Sequence, residues 1–259
     1  MFKNTKIMGT KAFALGLFIT LLSSCGSKKD VVYFQNASAF ETIVSDNSNV
    51  NRFKVDDVIS INVSTLDPQA SVPFNIFKGS QENGMRPEQL DYIVDKNGDI
   101  DFPVLGTVKI LGLSPAEAKI LLTERLKDYL KDPIINIRLR NFSVTMLGAV
   151  NRPGTYPVSG EQITILEALG LAGDLNIKGK RDNVMVIRDF NGTKVYTRID
   201  LTTKDVLNSP VYYLTQNDVV YVEPNKSLIS SATLDNRSSI AISIASILIT
   251  STIILLTRN

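Results

Sequence analysis

The chain has 259 residues, a length that allows one or two small domains with additional terminal segments. Its 28 basic and 26 acidic residues give a formal net charge of +2, so the composition does not indicate a nucleic-acid partner. The sequence contains no His and one Cys, which removes the commonest general base and metal ligand and excludes an internal disulfide.

The N-terminus resembles a bacterial lipoprotein signal peptide, which we predict to span residues 1–24. Three lysines precede an apolar segment at residues 12–22 that is too short to cross a membrane. The following Leu-Ser-Ser-Cys sequence resembles a lipobox, in which cleavage before the Cys is followed by its acylation. We therefore expect Cys25 to be the lipid attachment site, the alternative being a chance Cys after an ordinary signal peptide. Residues 25–51, rich in Asn and Ser, are predicted to be a lipidated N-terminus and a tether with little structure.

Residues 52–141 are predicted to form a small α+β unit. An acidic turn at Asp56 and Asp57 leads into a strand, and residues 91–102 are typical of a hairpin around Asn97 and Gly98. Residues 114–117 (Ser-Pro-Ala-Glu) are a capping box and predict a helix that stops at residues 132–133. Residues 135–140 alternate between apolar and polar side chains and predict a half-buried strand.

Residues 142–226 are predicted to form a second α+β unit. Apolar residues alternate up to Gly148, where we expect a sharp turn or a close backbone approach. Pro153 and Gly154 are typical of a type II turn with a positive φ at Gly154. A second capping box at residues 164–167 opens a short helix, residues 184–199 predict a hairpin around an Asn-Gly turn, and two further strands flank residues 216–218.

The C-terminal segment is predicted to be a transmembrane helix at residues 238–257, joined by a linker at residues 227–237. Residues 238–256 contain no charge, and about 19 helical residues extend about 28 Å, close to the thickness of a bilayer core. Hydroxyl residues recur along one face of this helix, at Ser239, Ser243, Ser246 and Thr250. They indicate either helix packing around a lumen or a simple anchor whose hydroxyls bond to their own helix.

Few side chains indicate chemistry. The pairs Asp56–Asp57 and Asp99–Asp101 lie in turns and strand ends, where solvated Asp is usual, although paired carboxylates can serve a glycosidase. Arg138 and its neighbour Arg140 could contact acidic sugars, but solvated arginines or pairs across subunits are the commoner arrangement. The sequence contains neither a phosphate-binding Gly-Lys-Ser/Thr loop nor a nucleophile elbow. We predict no catalytic residue, no metal site and no cofactor.

The order of these motifs resembles the outer-membrane polysaccharide export lipoproteins. The first unit resembles the polysaccharide export sequence domain in its successive motifs, which are Asp56-Asp57-Val58, Asp95-Lys96-Asn97-Gly98, Phe102-Pro103-Val104-Leu105-Gly106 and Gly112-Leu113-Ser114-Pro115-Ala116-Glu117-Ala118. The second unit resembles the soluble ligand-binding β-grasp (SLBB) domain in residues 148–156, 166–173, 213–214 and 218–222. Two departures are that the family usually has Gly where this chain has Asp56, and that larger relatives carry more than one β-grasp unit.

The resemblance implies a non-enzymatic lipoprotein of the outer membrane, with most of the chain in the periplasm. It implies a homo-oligomeric ring that forms a channel for capsular polysaccharide or exopolysaccharide, and an inner-membrane polysaccharide co-polymerase or tyrosine kinase as partner. Two other functions stay open: a periplasmic polysaccharide-binding or adaptor lipoprotein whose helix is only an anchor, and a wall-associated enzyme.

Overall fold

The computed structural model describes residues 31–43, 50–78, 88–190, 192–226 and 236–257. Within these ranges the strands and helices, in chain order, are β1 (Val58–Ser64), α1 (Pro68–Ser71), β2 (Phe77–Lys78), β3 (Glu88–Gln89), β4 (Tyr92–Ile93), β5 (Asp99–Phe102), β6 (Gly106–Lys109), α2 (Pro115–Leu126), β7 (Ile134–Leu139), β8 (Ser143–Gly148), β9 (Gly154–Pro157), β10 (Ile163–Thr164), α3 (Ile165–Leu171), β11 (Gly179–Phe190), β12 (Thr193–Ile199), β13 (Tyr213–Leu214), β14 (Val219–Pro224) and α4 (Asn236–Thr257).

The first unit is built on an antiparallel sheet of order β4-β1-β7, against which α2 packs. The helix α2 begins at the predicted capping box, which is confirmed. Glu117 N–H donates to the Ser114 hydroxyl, and Ser114 N–H donates to the Glu117 carboxylate. The helix ends at Leu126, earlier than the predicted stop, and turns fill the residues before Pro133. The core between helix and sheet includes Ile59, Leu122 and Ile135, each at most 2% exposed.

The hairpin predicted for residues 91–102 is wrong in its pairing. The turn at Asn97 and Gly98 forms, and the Asp95 carboxylate accepts hydrogen bonds from the N–H groups of Asn97 and Asp99. However, β4 before the turn pairs with β1, while β5 after it pairs with β6. The turn therefore joins two different sheets. Tyr92 before the turn and Ile100 after it are both buried in the core of the first unit, although their strands do not pair with each other.

Asp56 occupies the position where the resembled family usually has Gly, and its backbone shows why. Its φ is 67°, in the left-handed region that Gly enters at little steric cost and that Asp tolerates better than most residues. Asp56 N–H donates to the carbonyl of Val94, and the Asp56 carbonyl accepts from the Asn141 amide. These two bonds fix the turn that leads the chain into β1.

The second unit is built on a five-stranded sheet of order β12-β11-β14-β8-β9. β14 runs parallel to β8, and the other neighbours are antiparallel, including the predicted β11–β12 hairpin. The helix α3 begins at the predicted capping box, in which Glu167 N–H donates to the Thr164 hydroxyl. Both units are therefore α+β, with separate hydrophobic cores.

The two glycines singled out in the second unit differ in conformation. Gly148 has a φ of 83°, and a Cβ there would lie 2.1 Å from the carbonyl oxygen of Val222 in the neighbouring strand. Gly154 begins β9 and lies outside the left-handed region, with the Tyr156 ring 4.0 Å from a Cβ position. The positive φ predicted for Gly154 is therefore wrong, because the chain leaves Pro153 directly in an extended conformation to pair with β8.

The segment at residues 31–43 has no helix or strand, but it is bound to the second unit. Phe34 and Gln35 donate backbone hydrogen bonds to the carbonyls of Leu201 and Thr202, at 3.3 and 2.6 Å. The Tyr33 hydroxyl donates to Asp174, and its ring lies under the guanidinium of Arg181 at 5.4 Å. The N-terminal side of the described chain is thus attached to the second unit rather than to the first.

The C-terminal helix α4 forms, but the transmembrane helix predicted for residues 238–257 is wrong. Among the residues that the structure describes, no helix is both long enough and apolar enough to cross a membrane. The fold class is corrected accordingly to two α+β units followed by a helix that does not qualify as a membrane span.

Candidate functional site

A groove with a volume of about 760 Å³ lies between the first and second units. Both units contribute to its walls through β7, β11 and the loops on either side of them. Five basic side chains but only two acidic ones line it, which gives the groove a positive character. The basic residues are Arg52, Lys54, Arg138, Arg140 and Arg188, and the acidic ones are Glu161 and Asp189.

Side chains of the first unit reach the second unit along the floor of the groove. The half-buried ammonium of Lys54 donates to the backbone carbonyls of Asp189 and Gln216, at 3.3 and 3.4 Å. The Asn51 amide donates to the carbonyl of Glu161 at 2.7 Å. The two units therefore meet through hydrogen bonds to backbone groups, which hold the groove walls at a defined separation.

The turn that carries Gln216 is fixed by a buried ion pair. The guanidinium of Arg188 donates to both carboxylate oxygens of Asp218, with a shortest distance of 2.7 Å, and to the carbonyl of Tyr213. The Asp218 carboxylate also accepts from the backbone N–H of Thr215, at 2.8 Å, and from its hydroxyl. The donors of Arg188 and Thr215 therefore converge on the Asp218 carboxylate and hold the turn at residues 215–218 in place.

Gln216, at the centre of this turn, is one of the residues that line the groove. The residue is 4% exposed, and its Oε1 has no hydrogen-bond partner among the described residues. Asn51 Oδ1, on the opposite unit, is also buried without a partner in the described part of the chain. A buried acceptor without a donor costs about 1–3 kcal/mol, so both oxygens favour a ligand that brings hydroxyl or amide donors.

The arginines of the groove differ in how far their charge is already neutralised. Arg52 forms an ion pair with Glu117 at 2.8 Å, and Arg140 lies 3.5 Å from Asp91. Arg138 is exposed and forms no ion pair within the described ranges. Arg138 is consequently the cation of this group most available to an anionic ligand, and the exposed ring of Phe190 adds an apolar surface to the same groove.

Asp57, near the entrance to β1, has a perturbed titration. It is 2% exposed, and its carboxylate accepts from the backbone N–H of Lys54 at 2.9 Å. Burial raises the pKa of Asp57 to about 6, although the hydrogen bond from Lys54 and its positive charge oppose that shift. Asp57 thus fixes the chain direction immediately after Lys54 and does not itself line the groove.

The residues predicted as sites from the sequence do not come together. The turn residues Asn97, Gly98, Gly148, Pro153 and Gly154 lie outside the groove lining. In α4, the Ser246 hydroxyl donates to the Ser243 carbonyl and the Thr250 hydroxyl to the Ser246 carbonyl, so these groups bond within their own helix. Cys25 and the side chain of Ser239 lie outside the described residues.

Most groove residues, among them Gln216 and Lys54, were missed by sequence reasoning. Residues 216–218 were interpreted only as a turn, and Lys54 was not singled out, because each acquires its position through contacts with distant parts of the chain. Only Arg138 and Arg140 carried a signal, since an alternating strand places them on one exposed face. Within the described part of the chain, no cluster of three or more Asp, Glu, Cys or His residues could hold a metal ion.

Comparison with known proteins gives the family. Residues 45–140 match the model described as polysaccharide biosynthesis/export protein, and residues 143–198 match the SLBB domain. The EPS I polysaccharide export outer membrane protein EpsA of Ralstonia solanacearum is 27% identical over 144 residues, which are 54% of this chain and 38% of that protein. Its counterpart in Ralstonia nicotianae is 31% identical over 96 residues, or 36% of this chain and 25% of that protein.

These alignments span less than half of each relative. The two family matches are consecutive, however, and they fall on the two α+β units in the order that the motifs predict. We conclude that residues 45–198 of this chain carry the polysaccharide export and SLBB domains of the polysaccharide export family.

Proposed function

We propose that this protein is a component of a polysaccharide export system in the outer membrane. Both relatives are named as polysaccharide export outer membrane proteins. In this proposal lipid on Cys25 attaches the chain to the membrane, and the two α+β units lie in the periplasm. Several copies form a ring whose wall is made of these units, and capsular polysaccharide or exopolysaccharide passes through it.

The observation that carries the proposal is the groove between the two family-matched units. Its lining combines an available cation, unpaired oxygen acceptors and an exposed aromatic ring, which are the groups that contact charged substituents, hydroxyls and apolar faces of sugars. No step of bond cleavage is proposed for it. The energy for transport comes from an inner-membrane partner such as a polysaccharide co-polymerase or a tyrosine kinase.

The test is deletion of the gene in its host, followed by measurement of surface and periplasmic polysaccharide. We expect surface polysaccharide to be lost and polymer or its precursors to accumulate inside the outer membrane, with both effects reversed by the intact gene. Unchanged surface polysaccharide in the deletion strain would exclude a role in export.

A monomeric polysaccharide-binding adaptor is the second candidate, because one chain supplies all the groove-lining residues. The two candidates differ in oligomeric state. Light scattering after mild detergent extraction should give a closed oligomer, whereas an adaptor would have the mass of a single lipidated chain.

A further inference from the structure

We propose that the groove between the two units binds a segment of an anionic polysaccharide. In this arrangement Arg138 contacts an acidic substituent of the glycan, and Gln216 Oε1 accepts a hydrogen bond from a sugar hydroxyl. The inference rests on the proposed function only in taking the ligand to be a polysaccharide. The acidic substituent is a carboxylate, sulfate or phosphate, which share the negative charge that an arginine recognises.

The groove contains positive charge that the described part of the chain does not neutralise. Arg138 forms no ion pair among the described residues, and the ammonium of Lys54 contacts two backbone carbonyls rather than a carboxylate. Asp189, one of the two acids of the lining, is already engaged by Lys194, whose hydrogen bond lowers the pKa of Asp189. The positive charge of the groove is therefore incompletely neutralised from within the chain.

Two buried amide oxygens of the groove residues have no hydrogen-bond donor within the described part of the chain. Gln216 Oε1 and Asn51 Oδ1 are acceptors, so they bind a donor and repel an anion. A ligand that suits the whole groove must bring negative charge for the arginine and hydroxyl donors for the amides. An acidic sugar carries both on one ring, whereas a simple anion or a neutral glycan carries only one of them.

The turn that carries Gln216 is rigid. The turn with Gln216 is held by the Arg188–Asp218 ion pair, whose side chains are 5% and 0% exposed. The acceptor is consequently oriented before the ligand arrives, which reduces the entropy lost on binding. The volume of about 760 Å³ lies within the range of ~300–1,000 Å³ usual for small-ligand sites, so it suits a few sugar rings rather than a folded partner.

The experiment is isothermal titration of the purified full-length chain with an oligogalacturonate and with the same oligosaccharide fully methyl-esterified. The ester keeps the ring hydroxyls but lacks the charge. We expect the acid to bind at least about tenfold more tightly than the ester at low salt, and we expect added salt to reduce this difference.

Matched variants assign the contacts. Arg138→Gln should weaken binding of the acid about tenfold and leave the ester unchanged, while Arg138→Lys should retain most of the preference. Gln216→Leu should weaken both ligands by similar factors, because it removes the hydroxyl contact. Arg125→Gln is the control, since Arg125 is exposed, forms no ion pair within the described ranges and lies outside the groove lining.

Three results would overturn the proposal: no binding of the acid, equal binding of acid and ester by the unchanged protein, or equal effects of Arg138→Gln and Arg125→Gln. Circular dichroism melts of each variant show whether a loss of binding reflects unfolding. The deletion experiment is independent of these titrations, so a failure of the acidic-glycan inference leaves the export function to be decided by that experiment.

Discussion

Arg188 and Asp218 form a bidentate ion pair, sealed from solvent, beneath the turn that carries Gln216. Removing one partner leaves the other as an uncompensated buried charge, so Asp218→Asn should lower the free energy of unfolding by about 3 kcal/mol. Denaturant titration followed by circular dichroism measures this change. The control is Glu124→Gln, which breaks an exposed ion pair with Lys127 at 2.6 Å and should cost no more than about 0.5 kcal/mol. Similar losses in the two variants would show that burial does not set the strength of the Arg188–Asp218 pair.

Gly148 and Gly154 should respond differently to the same substitution. Gly148→Ala places a Cβ 2.1 Å from the Val222 carbonyl oxygen at a φ of 83°, so it should destabilise the second unit by at least about 2 kcal/mol. Gly154→Ala meets no atom closer than 4.0 Å and should change stability by less than about 0.5 kcal/mol. Thermal melts of both variants test the contrast, and a Gly154→Ala melt as low as that of Gly148→Ala would contradict the assigned conformation.

Asp56→Gly should stabilise the protein. The left-handed φ of 67° is costly for a residue with a Cβ, and replacement by Gly should raise the free energy of unfolding by about 0.5 kcal/mol after its greater unfolded-state entropy is subtracted. Asp56→Val, which brings a β-branched side chain to the same φ, should lower it by at least about 1 kcal/mol. A stabilisation by Val or a loss with Gly, in equilibrium denaturation, would exclude the left-handed turn.

Asp57 should make stability depend on pH. Its folded pKa of about 6 lies above the unfolded value of about 3.9, so the folded state retains a proton that the unfolded state has lost. The contribution of protonated Asp57 to the free energy of unfolding is therefore fully present below pH ~4. It is lost as the pH rises to ~6, and the loss is up to about 3 kcal/mol. Asp57→Asn cannot ionise, and denaturation from pH 4 to 7 should show that it lacks this decline. Parallel pH profiles for the two proteins would contradict the raised pKa.

Local signals in the sequence predict much of the fold. The helices follow from Ser114 with Glu117 and from Thr164 with Glu167, because a capping box is complete within four residues. The hairpin of β11 and β12 likewise needs only an alternating pattern and a tight turn.

Pairings between distant segments could not be predicted in this way. β4 pairs with β1 and β14 runs parallel to β8, and neither partner is marked by its neighbours in sequence. The same holds for Tyr33, whose partner Asp174 is 141 residues away. The groove combines such long-range contacts, so only Arg138 and Arg140 were recognisable in advance. For α4, a run without charge suggested a membrane span, whereas no helix in the described part of the chain is long enough and apolar enough to cross a membrane.

We propose that the groove of this chain handles polysaccharide during export. Its most direct test is surface polysaccharide in the deletion strain carrying either Arg138→Gln with Gln216→Leu or the control Arg125→Gln, at matched protein abundance. We expect the groove variant to restore much less surface polysaccharide than the unchanged gene, whereas the control should restore it fully. Full restoration by the groove variant would show that the groove has no role in export.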